Sequence, residues 1–378
     1  MYPQYAIKFY EIRAFVLVIL ISLFILTILI LRNDHRIRRY FEFVDQTSRF
    51  ENDELECSEN DLLRRKIIFE DIRSNDYSWS SCYTNHYIEK LYLADMNRPD
   101  RQDKLFVDVG ANKGYTIALW LSTWMPQLNI SQKNVDEVLK KQLKVDDCGA
   151  CFDCTESVLN IPQKNNNNNN NSTIPTRITI HAFEPIRDTY EMLLQLRLQF
   201  NLSDVFIHHL ALTNSTGVKK MIKCSSGKES CGLVITRIDP ADVIIDVNTM
   251  RLDDFVEKYQ IEQDIDLLKI DTEGADALVL DGARKLFAKE RVRMLIFENH
   301  SVGMWQTINL TDVLQSLEKQ GFICHLIGRT GMIRMTKCWL PIYDLKWWSN
   351  VLCVHRRQER FLRFFLSNGT IKLQFTHI

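Results

Sequence analysis

The chain has no excess of charge of either sign. Its 378 residues carry 47 Lys and Arg against 48 Asp and Glu, a formal net charge of −1. Nucleic-acid-binding domains show a basic surplus, and none is present overall. Glycine and proline are scarce, at 13 and 8 residues. Together with 46% apolar and 25% charged residues, this excludes a collagen-like, coiled-coil or wholly disordered chain. No disulfide or metal is needed to stabilise a chain of this length, which is sufficient to bury a core.

Long apolar runs are also missing, with one exception. Residues Ala14 to Leu31 contain no charge, and only Ser22 and Thr27 are polar. A helix of this length spans about 27 Å, close to the hydrocarbon thickness of a bilayer. A cleaved signal peptide would end in a small-residue A-x-A site, whereas this run ends in Leu31-Arg32-Asn33-Asp34. The segment therefore reads as a transmembrane anchor after a short tail, 1–13. Lys8 and Arg13 precede it, and Arg32, Arg36, Arg38 and Arg39 follow it. Flanking charge alone places the C-terminal side in the cytosol. Two features point the other way. Sequons start at Asn129, Asn170, Asn171, Asn201, Asn214, Asn299, Asn309 and Asn368, and all ten cysteines follow the span. Long domains translocate largely regardless of flanking charge. The expected topology is a type II single-pass protein with a lumenal C-terminal domain in the endoplasmic reticulum or Golgi.

Residues 32–56 are charged and polar, suited to a stem, and 57–102 read as an N-terminal extension. From Lys104 the pattern changes to apolar runs alternating with helical periodicity. Strands are expected at 105–109, 177–183, 205–212, 265–270, 292–297 and 322–327. Helices are expected at 116–125, 188–200, 275–288 and 311–320. This alternation predicts an α/β fold with a mostly parallel sheet covered on both faces. About fifty residues, 127–176, interrupt it, holding Cys148-x-x-Cys151-x-x-Cys154 and Asn165 to Asn171. That is too long for a unit connection and reads as an insertion. The cysteine triplet lacks an adjacent fourth zinc ligand, so disulfides are the expected use. Cys224 and Cys231 bracket Ser225-Ser-Gly227 and are placed to close a small loop. Residues 346–378 read as a C-terminal extension.

Four strand ends carry the chemistry. Asp108-Val-Gly110-Ala-Asn112-Lys-Gly114 ends the first strand. A dinucleotide fingerprint requires G-x-G-x-x-G, and Asn112 stands where its middle glycine belongs. The D-x-G-x-x-x-G pattern suits the amino-acid end of S-adenosylmethionine better than a pyrophosphate. Glu184, in Ala182-Phe-Glu-Pro185, ends the second strand, where an acid can accept from both ribose hydroxyls. Asp271 and Glu273 follow the fourth strand. They could position or deprotonate a hydroxyl, hold a divalent cation, or simply favour a helix start. Asp276 fits the helix-start role. His300, after Phe297-Glu298-Asn299, is a candidate general base.

These motifs, with Arg251-Leu-Asp-Asp-Phe255, Leu268-Lys-Ile-Asp-Thr-Glu-Gly274 and Gly282-Ala283, resemble those of the FkbM-type S-adenosylmethionine-dependent methyltransferases. The resemblance covers 103–330 without the insertion. It implies a Rossmann-like class I methyltransferase fold, a seven-stranded sheet, and methyl transfer to a hydroxyl oxygen. It also implies Asp108, Gly110, Asn112 and Gly114 at the methionine end and Glu184 at the ribose. Asp271 and Glu273 would then face the acceptor. No metal is expected. The expected partners are the membrane and a hydroxylated acceptor such as a glycan, with no nucleic acid. The competing reading is a catalytically inactive methyltransferase fold serving as a membrane-anchored binding protein.

Overall fold

The computed structural model describes residues 103–141, 177–224, 231–233, 243–327, 332–344, 346 and 349–358, and the single positions 63 and 66. All lie within one compact unit, Cys57–Ile378. The apolar run 14–31, the stem, most of the N-terminal extension, the cysteine triplet and the poly-Asn tract lie outside the described residues. Among the described residues no helix is long and apolar enough to cross a membrane.

The chain alternates as the pattern predicts. Strand β1 (Lys104–Val109) leads to helix α1 (Tyr115–Trp124) and α2 (Gln132–Lys141). Then come β2 (Ile178–Phe183), α3 (Arg187–Gln199), β3 (Val205–His208), β4 (Ala211–Leu212), β5 (Gly217–Ile222) and β6 (Ile244–Met250). Next are α4 (Leu252–Lys258), β7 (Leu267–Ile270), α5 (Asp276–Asp281), α6 (Arg284–Ala288) and β8 (Met294–Asn299). The chain closes with α7 (Leu310–Lys319), β9 (Phe322–Ile327), β10 (Met332–Arg334) and β11 (Ser349–His355).

The main sheet has eight strands rather than the expected seven, in the order β10-β9-β11-β8-β7-β1-β2-β3. Strands β3, β2, β1, β7 and β8 run parallel. Strand β11 runs antiparallel between β8 and β9, and β10 antiparallel beside β9. The C-terminal extension therefore begins inside the sheet: all seven residues of β11 are buried. Alternate residues supply two cores, one on each face. Phe106, Ile180, Leu267, Ile296 and Leu352 pack with α1, α2 and α3. Val107, Phe183, Leu268, Phe297 and Val351 pack with α4 to α7. Period-two burial on both faces explains why these strands read as unbroken apolar runs.

Two further expectations are corrected, and two observations add to the sequence reading. The run 205–212 is two strands: the chain turns at Leu210, and β4 joins a second sheet of order β4-β6-β5. The helix expected at 275–288 breaks at Gly282, where a Cβ would lie 2.1 Å from the Thr213 carbonyl oxygen. The insertion opens with ordered structure, because α2 buries Val135 and Leu139 in the core beside α1. Asn299, which heads one sequon, is wholly buried; Asn129, Asn201 and Asn309 are exposed.

Two disulfides are described. Cys224–Cys231 closes the loop expected after β5, and Cys324–Cys353 ties β9 to β11 at directly opposed positions.

Candidate functional site

Strand registers bring the motif residues together before any side chain is considered. Val109 pairs with Phe183 on one side and Ile270 on the other, and Ile270 pairs with Phe297. The next residues, Glu184, Gly110, Asp271 and Glu298, thus stand in a row at the carboxyl ends of four adjoining parallel strands. Strand β1 lies between β2, whose helical connection runs on one face, and β7, reached on the other. This is the switch point where open α/β sheets bind ligands.

Gly110 has φ 87°, and a Cβ there would lie 1.8 Å from the Asp271 carbonyl oxygen. The turn can follow β1 so closely only without a side chain. The amides of Gly110 and Ala111 both donate to the Phe183 carbonyl at 3.0 Å. Asn112, at φ 42°, and Gly114, at φ 77°, complete a left-handed approach to α1. Asn112 tolerates that conformation because its short polar side chain suits it.

Glu184 is held from two directions. Its Oε2 accepts the Asn112 amide at 3.1 Å, and its Oε1 accepts the Ile186 amide at 2.8 Å. Each oxygen keeps a lone pair for a further donor. Burial raises its pKa to about 7 against the pull of those two amides, with Asp108 adding to the rise.

Lys269 organises the centre, and sequence reasoning passed over it. Its Nζ lies 2.9 Å from Asp271 Oδ2 and 3.7 Å from Asp108 Oδ1. Burial opposes the charged ammonium, but Asp271 and Asp108 outweigh it and hold the pKa above the usual range. A lysine inside the apolar strand Leu267-Leu-Lys-Ile270 was the signal: such a charge persists only when paired. Asp108 is fully buried, and burial raises its pKa to about 6 while Lys269 lowers it. Neither of its oxygens, nor Asn112 Oδ1, has a hydrogen-bond donor among the described residues.

Asp276 accepts from Thr272 Oγ1 at 3.2 Å and the Gly274 amide at 3.3 Å, so it shapes the β7–α5 loop. Burial raises its pKa to about 7, with Asp271 adding to the rise. Glu273 sits at φ 53° in that loop. Gly274 and Gly303 press backbone to backbone, which joins this loop to the one after β8. Glu298 is driven well above the ordinary carboxyl range by burial, then by Asp271, Asp276 and Glu273.

His300 departs from its expected role as a base. Its Nδ1 accepts the Val302 amide at 3.1 Å, which puts the proton of the neutral ring on Nε2. Burial lowers its pKa to about 4. The neutral ring is held by its Nδ1 contact to the backbone. No group of three or more His, Cys, Asp or Glu among the described residues is arranged to hold a metal ion.

These pKa values dictate a pH profile. Asp108, Glu184, Asp276 and Glu298 hold protons in the folded state that the unfolded chain has lost. This makes stability fall as pH rises through their folded pKa values. His181, His208 and His300, each lowered to about 4, oppose that trend. They do so only up to their unfolded value near 6.5. The unfolding midpoint is accordingly expected to change little from pH 4.5 to 6.5 and to fall above it. Glu184→Gln flattens the fall. A midpoint rising steadily to pH 8 in a melting series would contradict these assignments.

The residues fit S-adenosylmethionine. The Asp108 carboxylate, ion-paired with Lys269, and the Asn112 Oδ1, which accepts no hydrogen bond among the described residues, lie at the glycine turn where an α-ammonium group would sit, and each Glu184 oxygen keeps a lone pair for a hydroxyl. The family comparison agrees. Residues 108–324 match the methyltransferase FkbM domain. No curated protein sequence matches significantly. A solved FkbM methyltransferase from Methylobacillus flagellatus KT aligns with TM-score 0.35 and 12% identity, over 67% of this chain and 43% of that chain. The present chain thus spans less than half of that protein. A precorrin-6y C5,15-methyltransferase from Geobacter metallireducens GS-15 aligns with TM-score 0.30 and 9% identity, over 70% and 86% of the two chains. An rRNA methylase from Streptococcus thermophilus aligns with TM-score 0.32 and 8% identity, over 71% and 95%. With the matched domain spanning more than half of its length, the chain belongs to the FkbM methyltransferase family and carries an S-adenosylmethionine-dependent methyltransferase domain.

Proposed function

We propose that this protein is a membrane-anchored O-methyltransferase acting on a hydroxylated acceptor of the secretory pathway, a glycan in the first instance. The observation that carries the methyl-transfer reading is the row Glu184, Gly110, Asp271 and Glu298 at the switch point, with Lys269 between Asp108 and Asp271. The cofactor supplies an electrophilic methyl group, so the protein mainly aligns a nucleophilic oxygen. Glu184 would accept from the ribose hydroxyls, and Asp108 and Asn112 from the ammonium end. Asp271, held by the Lys269 ammonium, would orient the acceptor hydroxyl. Glu273, two residues further along the same loop, would receive the hydroxyl proton. His300, its Nδ1 taken by the Val302 amide, is not assigned that proton.

The anchor and the lumenal placement rest on the apolar run 14–31, on the disulfides, and on the exposed sequon residues Asn129, Asn201 and Asn309. A lumenal enzyme meets glycans on passing glycoproteins and glycolipids. The test is transfer of a tritiated methyl group from S-adenosylmethionine to secretory-membrane glycoconjugates by the full chain. Label stable to mild base, as an ether is and an ester is not, is expected. Asp271→Asn should lower the rate at least hundredfold, the usual scale for a group acting directly on the reacting hydroxyl. Label confined to esters or nitrogen, or an Asp271→Asn rate equal to that of the wild type, would overturn the proposal.

A further inference from the structure

Segment 231–233, joined to Cys224 by a disulfide, lies against two parts of the site. Segment 231–233 runs back beside the end of β5, through a bridge between Met221 and Leu233 and a hydrogen bond from the Ile222 amide to the Gly232 carbonyl. Gly232 lies so close to the β7–α5 loop that a Cβ would be 2.6 Å from the Glu273 carbonyl oxygen. On the other side, Cys224, Cys231 and Leu233 pack against a small cluster of Ile186, Ala211, Met221 and Val247. Ile186 is the residue whose amide donates to Glu184 Oε1. The disulfide-linked residues thus pack both on the Glu273 loop and on the cluster that includes Ile186.

Accessibility separates this disulfide from its neighbour. Cys324 and Cys353 are wholly buried, whereas Cys224 and Cys231 are half-buried. Thiol–disulfide exchange requires a thiolate to reach a sulfur, so the Cys224–Cys231 bond is the more exposed of the two to attack.

We infer that the Cys224–Cys231 disulfide is a positioning element for the methyl-transfer site: closed, it braces Ile186 and the Glu273 loop together, and opened by a dithiol it loosens Glu184 and weakens cofactor binding. In the opening step, the reductant's two thiols become a disulfide. The S–S bond breaks, and Cys224 and Cys231 each end as a thiol bearing one of the two protons released. The cofactor part of this inference rests on the proposed function; the mechanical part does not.

The test uses the full chain in detergent, comparing the oxidised wild type with Cys224→Ser/Cys231→Ser. Two quantities are read: S-adenosylhomocysteine affinity, and amide exchange without ligand. The double variant should bind about tenfold more weakly, and dithiothreitol should weaken it no further while weakening the wild type. Its Ile186 amide should exchange at least tenfold faster, while the Ile180 amide, bonded to the Asp204 carbonyl in the core, stays unchanged. A general loss of stability would move both amides. If the double variant does not fold, Gly232→Ala keeps the bond and lifts the turn off Glu273. Faster exchange at the Gly274 amide and weaker binding are expected of it. Ile186 exchange and affinity equal to the wild type in the folded variant would overturn the inference. Failure of the oxidised wild type to bind at all would contradict the proposed function instead, and the exchange rates would still decide the brace.

Discussion

Gly110→Ala should lower the thermal unfolding midpoint by about 10 °C or more, the largest effect expected of any single methyl group in this domain. The added Cβ would sit 1.8 Å from the Asp271 carbonyl oxygen. That oxygen cannot step aside like the end of a flexible side chain. The Asp271 amide donates to the Val109 carbonyl at 2.9 Å, so the clash falls on the last rung of the β1–β7 ladder. Glycine is also the only residue at ease with φ 87° in such a turn. Backbone strain of this kind costs about 1–3 kcal/mol, and relieving the overlap by parting two central strands adds a comparable amount. A sum of about 4 kcal/mol corresponds to roughly 8–16 °C for a domain of this size. Gly217→Ala separates the two contributions. Gly217 also has positive φ, 147°, but nothing lies within 4 Å of its added Cβ. It should show the smaller, strain-only loss. Equal, small shifts in the two variants would mean that β1 and β7 do not close on each other as described.

The central strands were legible in the sequence because burial on both faces makes them continuous apolar runs bounded by glycine or an acid. Strands β1, β2, β8 and β9 fall within two residues of expectation for that reason. Strands β5 and β6 were not legible. They line a small sheet with one face open, and β5 buries only Met221. Strand β11 was missed because its partners, β8 and β9, are set by long-range pairing that no local pattern announces. The break at Gly282 depended on the backbone of Thr213, some seventy residues earlier in the chain.

The site divides the same way. The strand-end positions of Asp108, Glu184 and Asp271 were legible because the ends of apolar runs can be located in sequence. The ion-paired role of Lys269 emerged only when β1 and β7 were placed side by side. The reading of His300 changed because a backbone amide two residues away takes up its Nδ1.

Glu184→Ala should abolish the response to cofactor while leaving the fold intact. Glu184 contributes two oxygens, each anchored by a backbone amide, so its loss removes both of the proposed ribose acceptors from the site. The fold should tolerate the change because burial disfavours this carboxylate in the absence of ligand. The decisive measurement is the unfolding midpoint of the full chain with and without S-adenosylhomocysteine. At a hundred times its dissociation constant a ligand adds about 2.7 kcal/mol, or roughly 5–10 °C here. The account predicts that rise in the wild type and its disappearance in Glu184→Ala. A well-folded wild type with no rise, or a variant that keeps the full rise, would contradict the claim that this site holds the methyl donor.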